Sequence, residues 1–163
     1  MSAAMIDRRN MLGASAATGI GALLLGRAGR AAVPQFRVSH PAGEWLKLLG
    51  PQRYAILRGA GTEPAWSSPL LNEHRKGTFT CAGCALPLFS SATKFESHTG
   101  WPSFWQVLPH AVVTRSDTKL LFERTEVLCA RCGGHLGHVF DDGPRPTGLR
   151  YCMNGLALSF VAA

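Results

Sequence analysis

No block of five like charges interleaved with aromatics occurs in these 163 residues. Its absence removes the electrostatic footprint of a nucleic-acid binder, although 17 Lys and Arg against 10 Asp and Glu leave a formal net charge of +7. Long apolar runs are missing too. A membrane-spanning helix wants about 20 apolar residues, and the N-terminal candidate is broken by Gly13, Ser15, Thr18, Gly19 and Gly21. There is no internal repeat, and no strand alternates with a long helix, so a Rossmann-type or barrel α/β plan is not expected. At 46% hydrophobic and 17% charged residues the composition is that of a globular protein with one buried core.

The first 32 residues stand apart. Asp7-Arg8-Arg9 precedes an uncharged run from Asn10 to Gly26 rich in Ala, Gly and Leu, after which Arg27, Arg30 and the small residues Gly29-Arg30-Ala31-Ala32 follow. Charge, apolar core and small-residue site thus come in signal-peptide order, and the paired arginines resemble a twin-arginine export signal. The expectation is a cleaved export signal over 1–32, delivery to a bacterial periplasm, and no stable membrane span in a mature domain over 33–163. Removal of Arg8, Arg9, Arg27, Arg30 and Asp7 lowers the net charge from +7 to +4.

Beyond the leader the pattern is first helical in short pieces, Glu44 to Leu49 and then Gln52 to Arg58, with Pro51 suited to a first helical turn. From Gly77 onward short β-branched and aromatic runs are separated by Gly, Pro, Asn and Asp: Thr78–Cys81, Leu86–Ser90, Ser103–Leu108, Ala111–Arg115, Leu120–Leu128, His138–Asp141, Leu149–Asn154 and Leu156–Val161. That texture predicts a mainly β fold of antiparallel strands behind short N-terminal helices.

Four of the five cysteines form two identically spaced pairs, Cys81-Ala-Gly-Cys84 and Cys129-Ala-Arg-Cys132. Such pairs can converge four thiolates on one structural zinc, which would clip two distant hairpins together. A closed sulfur shell leaves no position for substrate, so catalysis belongs elsewhere. Disulfides are the alternative, favoured by an oxidising destination.

The fifth, Cys152, stands alone in Leu149-Arg150-Tyr151-Cys152-Met153-Asn154. Strand alternation puts Arg150, Cys152 and Asn154 on one face, where Arg150 would favour a nucleophilic thiolate; a buried structural cysteine is the alternative. His135-Leu136-Gly137-His138-Val139-Phe140 brings two imidazoles suited to proton transfer or to metal binding. Gly100-Trp101-Pro102-Ser103-Phe104-Trp105 concentrates rings on a turn, as an apolar wall or as core. Together they describe a site for a small apolar group bearing a polar atom to be protonated.

The runs Lys94 to Phe104, His135 to Phe140 with Asp142-Gly143-Pro144, and Gly148 to Asn154 resemble B-type methionine sulfoxide reductases. So do the two cysteine pairs and, upstream, Tyr54 to Arg58 and Gly61-Thr62-Glu63-Pro64. The resemblance covers roughly residues 48 to 161. It implies two antiparallel sheets, one structural zinc per chain held by Cys81, Cys84, Cys129 and Cys132, and Cys152 as the nucleophile on sulfoxide sulfur. It further implies that Trp101 holds the substrate methyl group with Phe140 completing the apolar wall, that His135 and His138 bind and help protonate the oxygen, that Asn154 hydrogen-bonds nearby and that Arg150 tunes the thiolate. The substrate would be the R epimer of methionine sulfoxide in oxidised proteins or peptides, and the sulfenic acid left on Cys152 would be reduced by an external thiol such as a thioredoxin-like protein, glutaredoxin or glutathione. Thr99 stands where many relatives carry a resolving cysteine, His98 where they carry Gly, and Gly155-Leu156 where Ser and a small residue are common. A zinc-stapled binding module and a zinc hydrolase built on His135 and His138 are the competing readings.

Overall fold

The structure is a computed structural model that describes residues 36–118 and 123–163. The expected export segment over 1–32 lies outside the described residues. Among them, no helix is long and apolar enough to cross a membrane.

The chain enters the domain through α1 (Ala42–Leu57), whose buried residues are Trp45, Ile56 and Leu57. Gly50 departs from helical geometry at φ 68 and ψ 167, a left-handed value that glycine adopts without a Cβ penalty. Pro51 then restarts the helix, because a first-turn residue needs no intrahelical N–H bond. The two expected short helices are thus one span interrupted at Gly50.

Two sheets follow, antiparallel as the strand texture predicts and two in number as the resemblance implies. The smaller has the order β2-β1-β9, from β1 (Gly77–Cys81), β2 (Pro87–Ser90) and β9 (Leu158–Ala162). The larger has the order β3-β4-β8-β7-β6-β5, from β3 (Lys94–Phe95), β4 (Ser103–Phe104), β5 (Val112–Asp117), β6 (Arg124–Cys129), β7 (His135–Phe140) and β8 (Arg150–Met153). Among the expected strands that differ in extent, three bear on the site. The run Ser103–Leu108 ladders only at its first two residues, because Trp105 N–H turns to the Thr93 carbonyl (3.0 Å) and Leu108 N–H to that of Leu88 (2.8 Å). The last strand starts at Leu158 and not Leu156, since Gly155–Ala157 forms a 3-10 turn whose first two N–H groups go to the Glu63 carboxylate. His135 already belongs to β7.

The sheets meet through aromatic rings. Phe79 of β1 and Phe89 of β2 close on Phe104 of β4, with centroids 4.9 and 4.3 Å away, and all three side chains are fully buried. Burial of each such side chain contributes about 1.5–3 kcal/mol. Phe104 is therefore core, as its pattern allowed, while Trp101 is only partly buried.

One irregularity in the large sheet positions the site. Residues three apart on a regular strand point to opposite faces, which would separate His135 from His138. In β7, Val127 pairs with Gly137 but Leu128 pairs with His135, a bulge that leaves Leu136 as the extra residue. Both imidazoles therefore share a face, with ring centroids 5.4 Å apart. Direct pairings then align Ser103, Cys152, His138, Glu126 and Arg115 in one row across five strands. Gly137 allows this because a Cβ there would lie 2.1 Å from the Cys152 carbonyl oxygen. The expected outcome for Gly137→Ala is destabilisation by about 1–3 kcal/mol, the usual result of overpacking, together with a slower reaction at Cys152. Thermal melts and alkylation rates of the variant check it.

Candidate active site and metal centre

Each cysteine pair sits in a turn of the same build. Cys81 N–H donates to the Leu86 carbonyl (2.8 Å) and Ala85 N–H to the Cys81 carbonyl (2.8 Å); Cys129 N–H donates to Gly134 (2.9 Å) and Gly133 N–H to Cys129 (2.8 Å). The residue four after the first cysteine has positive φ in both, Ala85 at 58 and Gly133 at 67. One turn joins β1 to β2 and the other β6 to β7, so the two sheets converge here. All four sulfurs lie within 4.8 Å of one another, with Cys81 to Cys132 at 3.7 Å and Cys84 to Cys129 at 3.5 Å. A disulfide needs about 2.05 Å, and none occurs among these cysteines. Sulfurs bound tetrahedrally at about 2.3 Å from zinc stand about 3.8 Å apart, so the donor set fits one metal ion. Arg58 braces the second turn from the end of α1, donating to the Cys132 carbonyl (3.0 Å) and the Gly133 carbonyl (3.2 Å).

The second centre surrounds Cys152 on β8. A cleft of about 120 Å³ is lined by Trp101, His138, Phe140, Cys152 and Asn154, five of the residues that the sequence pointed to, with Thr62, Arg124, Gly137 and Met153. Cys152 is partly buried, and the Thr99 hydroxyl approaches its sulfur at 3.8 Å. Burial pushes the Cys152 thiol up from its ordinary value and is the largest effect; hydrogen bonds from Thr99 and Ser103 and the charge of Arg150 pull the other way without overcoming it. Arg150 thus acts in the expected direction, but its guanidinium is spread over other duties. It donates twice to Asp142, both at 2.8 Å, and stacks over Phe140 at 4.4 Å.

His138 lines the cleft and His135 does not, although the two rings are neighbours. Each is held by a buried carboxylate: His138 Nε2 is 2.8 Å from Asp117 and His135 Nδ1 is 2.6 Å from Glu126. Those carboxylates are anchored in turn, Asp117 by Arg124 at 2.7 Å and Glu126 by Arg115. Desolvation works against the Glu126 charge, yet Arg115 and His135 outweigh it and hold the carboxyl below its ordinary value.

Asn154 lies one residue past β8, outside the strand alternation that placed it, yet still reaches the cleft. Its amide is tied at both ends, accepting from Glu63 N–H (3.0 Å) and donating to the Leu136 carbonyl (3.2 Å). Trp101 donates through Nε1 to the Glu63 carbonyl (3.1 Å). Glu63, Asp117, Glu126, Arg124, Thr99 and Ser103 are therefore site residues to which the sequence reading gave no role. The available signal was charge at alternate positions on strands, Arg115 with Asp117 and Arg124 with Glu126, which marks a polar face without naming its partners.

The SelR domain family matches residues 49–162. A peptide methionine sulfoxide reductase MsrB of Leptospira interrogans is 52% identical over 126 residues, covering 77% of this chain and 96% of that protein. One from Methanosarcina barkeri is 53% identical over 118 residues, 72% of this chain and 83% of its own length. The chloroplastic peptide methionine sulfoxide reductase B1 of Arabidopsis thaliana is 51% identical over 120 residues, 73% of this chain and 59% of the longer plant protein. With a family match over most of its length and relatives at about half identity, the chain belongs to the SelR-domain family of B-type methionine sulfoxide reductases.

Proposed function

We propose that this chain repairs oxidised proteins by attack of Cys152 on the sulfur of the R epimer of methionine sulfoxide. Its family makes it a peptide-methionine (R)-S-oxide reductase. The observation that carries the residue assignment is the cleft in which Trp101 and Phe140 face His138 and Cys152. The rings suit the methyl group of the substrate, and an imidazole beside the thiol suits the oxygen. His135 packs edge-on beside His138, Asn154 fixes the end of β8 and Arg150 offsets part of the burial cost of a thiolate. The step balances as thiol plus sulfoxide giving a sulfenic acid on Cys152 plus methionine.

A hydrolase built on a zinc held by His135 and His138 is disfavoured, because among the described residues the group placed to hold a metal ion is the four cysteines, and neither histidine belongs to it. Zinc at those four sulfurs would supply a cross-link between the sheets. One zinc per chain is the expected metal content, and Cys81→Ser should release it with a large fall in melting temperature. Structural zinc sites contribute on the order of 10 kcal/mol of binding energy coupled to folding. An intact mass with two disulfides and no metal would contradict this assignment.

Recycling follows from the same geometry. Counted along the ladder from the row containing Cys152, Cys129 is three residues along and two strands across, roughly 10 Å in each direction. A sulfenic acid there would form beside the hydroxyls of Thr99 and Ser103 and not beside a thiol. It waits for two external thiols, which leave as a disulfide with release of water. Incubation without thiol should reduce a single substrate per chain and leave Cys152 trappable as the sulfenic acid. A disulfide from Cys152 to any of the other four cysteines would overturn that account.

The leader reading completes the proposal. Arg8-Arg9 before a weakly apolar, small-residue run supports twin-arginine export to the periplasm, where exposed methionines meet oxidants directly. That route carries folded proteins, so metal could be loaded before export.

A further inference from the structure

Nothing in the activity itself says how His138 is kept ready to give a proton, yet one carboxylate is built for that task. Asp117 ends β5, and its side chain is only 6% exposed. It receives Arg124 at 2.7 Å from one side and faces His138 Nε2 at 2.8 Å on the other, both through the same oxygen. An unpaired buried carboxylate is costly, whereas one shared between a guanidinium and an imidazole is stable only while those groups supply protons to it. With Nε2 committed to Asp117, the remaining polar atom of the His138 ring is Nδ1. His138 and Arg124 both line the Cys152 cleft, and Cys152 is the direct cross-strand neighbour of His138.

We infer that Asp117 is a positioning residue for the reduction: it holds a proton on His138 Nε2 and fixes the ring, so that Nδ1–H serves the sulfoxide oxygen. This rests on the reading that His138 is the proton donor. The imidazolium gives its Nδ1 proton to the oxygen as Cys152 sulfur attacks, and the thiol proton released by Cys152 balances the one consumed. Around His138 the titratable or charged groups are Arg115 and Asp117 on β5, Arg124 and Glu126 on β6, His135 on β7, and Cys152 with the Arg150–Asp142 pair at β8; β4 offers only the Ser103 hydroxyl. Of the carboxylates, Asp117 alone bonds His138, since Glu126 is engaged by His135 and Arg115 and Asp142 by Arg150.

The test is single-turnover reduction of a peptide carrying methionine-R-sulfoxide at fixed pH, with wild type, Asp117→Asn, Asp117→Glu and His138→Gln. Asp117→Asn removes the charged acceptor that fixes the ring, and the chemical step should slow about tenfold. Peptide affinity and iodoacetamide alkylation of Cys152 should change less than about threefold, and Asp117→Glu should restore most of the rate. An unchanged rate for Asp117→Asn, or a loss that Asp117→Glu does not relieve and that affinity shares, overturns the inference. Retention of the full rate by His138→Gln would instead remove His138 as donor, a failure of the underlying reading. Should Asp117→Asn not fold, nitrogen NMR of the wild type decides: the neutral His138 ring is expected to carry its proton on Nε2, and a ring protonated on Nδ1 overturns the inference.

Discussion

The register of the large sheet is the constraint from which the cleft follows. In an antiparallel ladder, directly paired residues share a face, and a slip of one residue would send every side chain to the other side. The bulge at Leu136 makes such a slip once, locally, and thereby turns His135 to the side where His138, Glu126 and Cys152 already stand. Every later feature depends on that row: the carboxylates of β5 and β6 meet the imidazoles of β7, and these meet the thiol of β8. Gly137 belongs to the same device, since only a residue without a side chain lets β7 approach the Cys152 backbone so closely.

Two opposing effects set the reactivity of Cys152. Burial shields the sulfur and raises its thiol above the ordinary value, while Arg150, Thr99 and Ser103 favour the anion. Burial prevails, so the balance at this sulfur tips toward the thiol and away from the thiolate. Protection of this kind suits an enzyme proposed for an oxidising compartment, where a permanently ionised sulfur would be consumed by oxidants. The cost falls on catalysis, which must then draw on the imidazole beside it. Asp117 and Arg124, far apart from Cys152 in sequence, become part of the chemistry for this reason.

Much of this was legible in the amino acids because the signals were local. Paired cysteines at fixed spacing announced their turns, Pro51 announced a helix start, and β-branched runs between Gly and Pro announced strands. Trp101, His138, Phe140, Cys152 and Asn154 were identified from short motifs and do line one cleft. What escaped was the non-local part. Alternation counted along β7 puts His135 and His138 on opposite faces, and only the partner strand reveals the bulge. Asp117, Glu126 and Glu63 look like surface charges until the ladder and the fold bring a ring or an amide to each. The surroundings of Arg150 escaped too, since neither Asp142 as its partner nor the burial of Cys152 can be read from strand alternation.

The central claim is that this cleft selects one sulfoxide geometry and reduces it through Cys152. Purified protein incubated with dithiothreitol and a methionine sulfoxide peptide, resolved into its R and S epimers, tests that directly. Turnover of the R epimer alone, abolished by Cys152→Ser, is the predicted result. Equal turnover of both epimers, or R-epimer turnover that survives Cys152→Ser, would contradict it.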